Sequence, residues 1–184
     1  ERNLRAALKN AELLAPCVLW IDEIEKALAT AEADEGVSRR VLGYLLTWLA
    51  ERSAPVFLVA TANDVQALPA ELLRKGRFDE AFFIDLPDAA TRAEIFGLHL
   101  ARRALAAAGY DLAALAAASA GFSGAEIEQV VVAALYAAAA DGQRQPTQAQ
   151  LAAAIADTRP LSVMMAEQVE ALRAWARGRT VPAD

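Results

Sequence analysis

The stretch Cys17-Val18-Leu19-Trp20-Ile21-Asp22-Glu23 constrains this chain more than any other, because five residues without a polar side chain run directly into two adjacent carboxylates. An apolar run that short is not a free-standing helix; it reads as a β-strand covered on both faces, as in parallel sheets. Asp22 and Glu23 then lie at the strand's carboxyl end, the edge of an open α/β sheet where ligands bind. One acid there can hold a magnesium shell while its neighbour orients or deprotonates a water, which is Walker B chemistry and points to an ATPase. A helix start accounts for the same residues, with Asp22 as N-cap and Glu25 answering it in a capping-box manner. A strand-to-helix turn accommodates both.

Every long Ala/Leu-rich segment is interrupted by Glu, Arg, Gln or Asp before it reaches the length of a bilayer span, so a globular chain without membrane partners is expected. At 184 residues it has room for one large or two small domains. The start, Glu1-Arg2-Asn3-Leu4-Arg5, is charged and amphipathic and lacks the pattern of a signal peptide. Cys17 is the only cysteine, which rules out an internal disulfide and suits a reducing cytoplasm or plastid stroma. The net charge of -6 disfavours broad electrostatic binding to nucleic acid.

Hydrophobic periodicity predicts alternating helix and strand in the first part: a helix over 3–14, strands over 17–21 and 56–60, a short helix from Ile24, a polar loop over 31–36 and a helix over 37–51. A third, shorter strand is expected over 82–84. From Pro87 onward the pattern is helical only, with helices predicted over 88–108, 111–118, 124–141, 147–156 and 162–177. The shift marks a domain boundary, giving a partial α/β nucleotide-binding domain over 1–87 and an all-α domain over 88–184. Three strands make a thin sheet, and Val56-Phe57-Leu58-Val59-Ala60 has no polar face to offer solvent. It demands neighbours on both edges and layers on both faces, from which a longer parent polypeptide is expected.

Further residues fall where a nucleotide-hydrolysing site needs them. Asn63 ends the second strand, so its amide points into the crevice of Asp22 and Glu23 if the two strands are adjacent; an Asx-turn explains it equally. Arg74 and Arg77, in Leu72-Leu73-Arg74-Lys75-Gly76-Arg77-Phe78-Asp79, can reach a phosphate in a neighbouring subunit and stabilise charge during phosphoryl transfer. Surface arginines paired with Asp79 or Glu80 are the alternative.

The order Val-Leu-Trp-Ile-Asp-Glu, Val-Phe-Leu-Val-Ala-Thr-Ala-Asn-Asp, Leu-Pro-Ala-Glu-Leu-Leu-Arg-Lys-Gly-Arg-Phe-Asp and Gly-Phe-Ser-Gly-Ala-Glu-Ile resembles the AAA clade of the AAA+ ATPases. Within it the chain looks most like the ATPases of a conserved chloroplast and cyanobacterial reading frame. The resemblance implies the carboxyl-terminal part of a P-loop parallel-sheet domain followed by a helical lid, with ATP and Mg2+ as cofactors. It makes Asp22 the acid of the magnesium shell, Glu23 the residue that activates water, Asn63 sensor 1, and Arg74 and Arg77 the arginine fingers. His99 falls where relatives place a histidine near adenine, a lone half-buried lid histidine being the alternative. Gly124 and Ala125 fall at the start of the lid helix over base and ribose.

No Gly-x-x-x-x-Gly-Lys-Ser/Thr occurs, so the phosphate-cradling loop is expected upstream of Glu1, together with the strand that would neighbour 82–84. The resemblance implies a motor or remodeller working as a homo-oligomeric, hexamer-type ring on a protein client. A non-hydrolysing module that lends Arg74 and Arg77 to another subunit is the competing function. Intact Asp22 and Glu23 count against it, and the absence of His-Glu-x-x-His counts against a metalloprotease.

Overall fold

Helix α1 (Arg2–Leu13), strand β1 (Cys17–Ile21), helices α2 (Ile24–Ala29) and α3 (Glu35–Glu51), and strand β2 (Val56–Ala60) alternate in the computed structural model, which describes residues 2–29, 35–74 and 76–183. The strands fall on the predicted spans and pair in parallel, from Cys17 opposite Val56 to Ile21 opposite Ala60. Period-two alternation turns Cys17, Leu19, Ile21 and Leu58 towards a core that includes Leu8, Ile24, Leu45 and Leu72. The other face carries Val18, Trp20 and Phe57, which are 66%, 62% and 69% exposed. Layers on both faces are therefore met on one side only among the described residues. The predicted polar loop 31–36 lies mostly outside them, and α3 begins at Glu35.

Contacts divide the chain into two units, Glu1–Ala81 and Phe82–Asp184. The second contains β3 (Phe82–Phe83), α4 (Ala89–Ala101), a 3-10 turn over Ala107–Gly109, α5 (Leu112–Ala118), α6 (Gly124–Ala140), α7 (Gln148–Asp157), α8 (Leu161–Met164), α9 (Ala166–Ala176) and β4 (Val181–Pro182). Phe96, Leu100, Leu115, Ile127, Val131 and Leu151 form its core, each at most 1% exposed. Among the described residues, no helix is long and apolar enough to cross a membrane.

One pairing was not expected, and two helix bounds are corrected here. Phe82 and Phe83 lie outside the sheet of β1 and β2 and pair in parallel with Val181 and Pro182, so the sheets are two of two strands each. Two-residue strands carry too little alternation to be seen in sequence. The helix predicted to reach 108 stops at Ala101, because Ala104 takes a left-handed φ of 57° and the returning Leu105 N–H donates to the Leu100 carbonyl at 3.0 Å. That reversal buries the Leu105 side chain.

The helix predicted over 162–177 is broken at Met165 into α8 and α9. Side-chain bonds pull the start of α8 towards the start of α6: Leu161 N–H donates to Glu126 Oε1 at 2.6 Å, and Ser162 Oγ donates to the Gly121 carbonyl at 2.6 Å. Gly121 has a φ of 81°, and a Cβ there would meet Ser162 Oγ at 2.8 Å, so two independent constraints require glycine. Ser123 with Glu126, and Thr147 with Gln150, form capping boxes on α6 and α7.

Candidate active site

Thr61, the residue directly after β2, ties the carboxyl ends of both strands together. Its N–H donates to the Ile21 carbonyl at 3.0 Å, and its own carbonyl accepts from Ile24 N–H at 2.9 Å. Its hydroxyl donates to Asp22 Oδ1 at 2.5 Å and accepts the Glu23 N–H at 2.9 Å. Glu23 has a left-handed φ of 48°. For a residue with a Cβ that conformation costs about 1–3 kcal/mol, and it persists where surrounding bonds over-determine it, as at functional sites.

The Glu23 carboxylate faces two donors. Asn63 Nδ2 donates to Oε1 at 2.8 Å, while Lys26 Nζ donates to Oε1 at 2.7 Å and to Oε2 at 2.8 Å. The hydrogen bond and charge of Glu23 in turn raise the Lys26 pKa above its ordinary 10.5. Glu25, only 6% exposed, accepts the Asn63 N–H on Oε1 at 3.1 Å, while Oε2 is buried with no hydrogen-bond partner among the described residues. The expected capping box does not form, since Asp22 accepts from Thr61 and Glu25 from Asn63, both across the strand ends. Nor is Asn63 the turn-former: Asp64 takes that part, its Oδ1 accepting from Gln66 N–H at 2.9 Å and Ala67 N–H at 3.3 Å.

Asp22, Glu23 and Asn63 are thus brought together, with Thr61 and Lys26 as partners that the sequence did not single out and Glu25 in a part other than the expected cap. Thr61 was legible in hindsight as the first hydroxyl after an apolar strand; Lys26 carries no motif signal. Asp22 is exposed and Thr61 takes only Oδ1. An exposed carboxylate fits a magnesium ion, a hard cation that keeps several waters and binds through one or two carboxylates plus phosphates. A caged metal does not fit, because no group of three or more His, Cys, Asp or Glu is assembled among the described residues.

Arg74 is exposed and Arg77 half-buried, and the Arg77 guanidinium donates to the Glu71 carbonyl. Neither forms an ion pair with Asp79 or Glu80 among the described residues. In the second unit His99, on α4, is 7% exposed, and its Nδ1 lies 3.6 Å from Glu128 Oε1 on α6 without a hydrogen bond. Arg103 holds the same Glu128 oxygen at 2.9 Å, and that bond, aided by the charges of His99 and Arg103, keeps the Glu128 carboxyl below the usual range despite some desolvation. Gly124 and Ala125 open α6 directly after the Ser123 cap, Gly124 beside Ile95 and Ala125 exposed.

Residues 1–86 match the ATPase family associated with various cellular activities (AAA), and residues 109–153 match the AAA+ lid domain. The AAA domain-containing protein ycf46 of Pyropia yezoensis is 45% identical over 96% of this chain. A proteasome-activating nucleotidase of Saccharolobus islandicus is 35% identical over 84% of the chain. The chain spans 36% and 40% of the lengths of these two relatives. In fold it is similar to the FIGL-1 AAA domain solved in complex with ADP, with a TM-score of 0.79 and 23% identity over 97% of this chain and 63% of that one.

Proposed function

The chain belongs to the AAA family of ATPases, and from that premise we propose that the protein carrying it hydrolyses ATP at the carboxyl ends of β1 and β2. The observation that carries this is that Thr61 ties Asp22 to Glu23 while Asn63 Nδ2 donates to the Glu23 carboxylate, which gathers a metal-shell acid, a base and an amide at one strand edge. Magnesium bound to the nucleotide would supply charge neutralisation for the phosphates. Asp22 is proposed to hold its water shell. Glu23 would accept a proton from the attacking water, and the Asn63 amide would orient that water and Glu23.

Arg74 and Arg77 are proposed to serve the nucleotide of the neighbouring subunit in a homo-oligomeric, hexamer-type ring. Their support is negative as well as positive: neither is neutralised by Asp79 or Glu80 among the described residues. His99, Gly124 and Ala125 would lie against the base and ribose. A protein client and a cytoplasmic or stromal setting complete the proposal.

Glu23→Gln in the ATPase that carries this chain tests the reading, because the amide keeps the shape of the carboxylate but takes no proton. Expected are normal ATP binding and a loss of turnover by about two powers of ten or more. Hydrolysis at the parent rate would remove Glu23 from the chemistry. Binding without any hydrolysis in the parent would favour a module that only lends Arg74 and Arg77 to another subunit.

A further inference from the structure

We propose that Lys26 restrains the catalytic carboxylate: its ammonium occupies Glu23 until the attacking water displaces it, so that Lys26 sets the basal rate of hydrolysis. The inference rests on the reading of Glu23 as the water-activating group. A carboxylate offers about four acceptor positions. In Glu23, Lys26 takes one on each oxygen and Asn63 takes another on Oε1. About one position is left for a water, and the donor beside it is a full positive charge. Release of Lys26 opens one acceptor position on each oxygen while Asn63 still holds Oε1, so the carboxylate stays placed.

The restraint is built to be reversible. Lys26 sits three residues beyond Glu23 in the first turn of α2, and its side chain is 66% exposed against 35% for Glu23. Exposed pairs of this spacing are weak, because water competes for both charges and the long side chain loses rotamer freedom. By contrast, Glu23 itself is fixed from the backbone side by Thr61 Oγ1 and by its left-handed φ. The base is held from the backbone side, and its competitor reaches it from a solvent-exposed side chain. Lys26 is therefore a positioning residue that acts through Glu23.

Two measurements test this. In the 184-residue chain, whose three lysines are Lys9, Lys26 and Lys75, the Lys26 ammonium should give a protected signal in a 1H–15N spectrum without nucleotide. Glu23→Ala should abolish that protection and leave Lys9 unchanged; an unchanged Lys26 signal would show that the contact is not made in solution and overturn the proposal. In the ATPase that carries the chain, Lys26→Met should raise kcat about two- to fivefold, the scale of an exposed ion pair, with KM for ATP unchanged. Lys26→Gln should behave like Lys26→Met, and Lys26→Arg should stay near the parent. Equal or lower kcat in both neutral variants sinks the restraint. Glu23→Gln serves as the control: if it retains the parent rate, the reading of Glu23 has failed, whereas its silence beside an unaccelerated Lys26→Met shows that only the restraint has failed.

Discussion

Arg92 of the helical unit is 8% exposed and ends on backbone, its Nε and Nη2 donating to the Ala116 carbonyl at 3.0 and 2.9 Å and its Nη1 to the Pro87 carbonyl at 2.7 Å. Glu126 likewise closes on the Ser123 and Leu161 N–H groups. Thr61, Asn63 and Lys26 of the strand-bearing unit end instead on carboxylates. In the helical unit Asp88, Asp111, Ser123 and Thr147 cap α4, α5, α6 and α7, whereas the first unit gathers charge at a strand edge and leaves Val18, Trp20 and Phe57 exposed. Polar side chains directed at backbone stabilise a fold; those directed at one another beside solvent hold a site. The two units should therefore respond to substitution in different quantities, turnover in one and stability in the other.

Arg77→Ala is the largest expected break on the catalytic side. Its described contact is a single exposed bond to the Glu71 carbonyl, so the melting temperature should hold, while hydrolysis in the proposed ring should fall by about three to five powers of ten. Mixing Arg77→Ala with Glu23→Gln subunits should restore part of the rate, since a Glu23→Gln subunit offers sound arginines to a neighbour whose own site is intact. Labelled subunits must first be shown to exchange. Exchanging mixtures that never exceed the summed rates of the two variants would assign Arg77 a structural part only.

Stability contrasts Phe96→Ala with Trp20→Ala. Phe96 is 0% exposed in the helical core, and its truncation should cost about 3–5 kcal/mol in urea unfolding of the chain. Trp20 is 62% exposed, and the same truncation should stay within about 0.5 kcal/mol. A cost at Trp20 that approaches the one at Phe96 would mean that its face is covered in solution, and the contrast between the units would narrow.

How far each unit was legible follows from the same contrast. Both long strands were readable because Cys17 to Ile21 and Val56 to Ala60 are apolar throughout, each preceded by a proline and followed by a polar residue. The carboxylate edge was readable because Asp22 and Glu23 directly follow the first of them. What holds the site was not. Thr61 acts through a strand pairing that no local pattern states, and Lys26 acts through the turn geometry set by the positive φ of Glu23. In the helical unit, the expected starts at 124 and 147 fall on the start of α6 and one residue before that of α7, where Ser123 and Thr147 form the caps. The end of α4 depends on a local reversal in which the Leu105 N–H donates to the Leu100 carbonyl, and the break at Met165 goes with a long-range bond in which the Leu161 N–H donates to Glu126; periodicity encodes neither.

The smallest expected effect tests whether a side-chain pair in the helical unit follows the rule of its backbone-directed neighbours. Arg173 Nε lies 2.8 Å from Asp85 Oδ2 and Nη2 lies 2.9 Å from Oδ1, a two-pronged pair in which the side chains are 38% and 39% exposed. The Arg173 hydrogen bond is the main reason that the Asp85 carboxyl is held below its ordinary 3.8; partial burial opposes it, while the Leu86 N–H bond and the Arg173 charge add to it. Because the folded-state pKa is depressed, the contribution to stability is fully present above the unfolded value and is lost as pH falls through the folded one. Solvent screening limits its size, so Arg173→Gln should cost about 1 kcal/mol or less at neutral pH. The gap between parent and variant should stay level from about pH 5 to 8, then close as pH drops below 3.8. Chemical denaturation of both proteins across that range measures it. A gap that persists at the acid end would mean that Arg173 acts through packing of its aliphatic stem rather than through Asp85, and that this pair belongs with Arg92 among the side chains that close the helical unit.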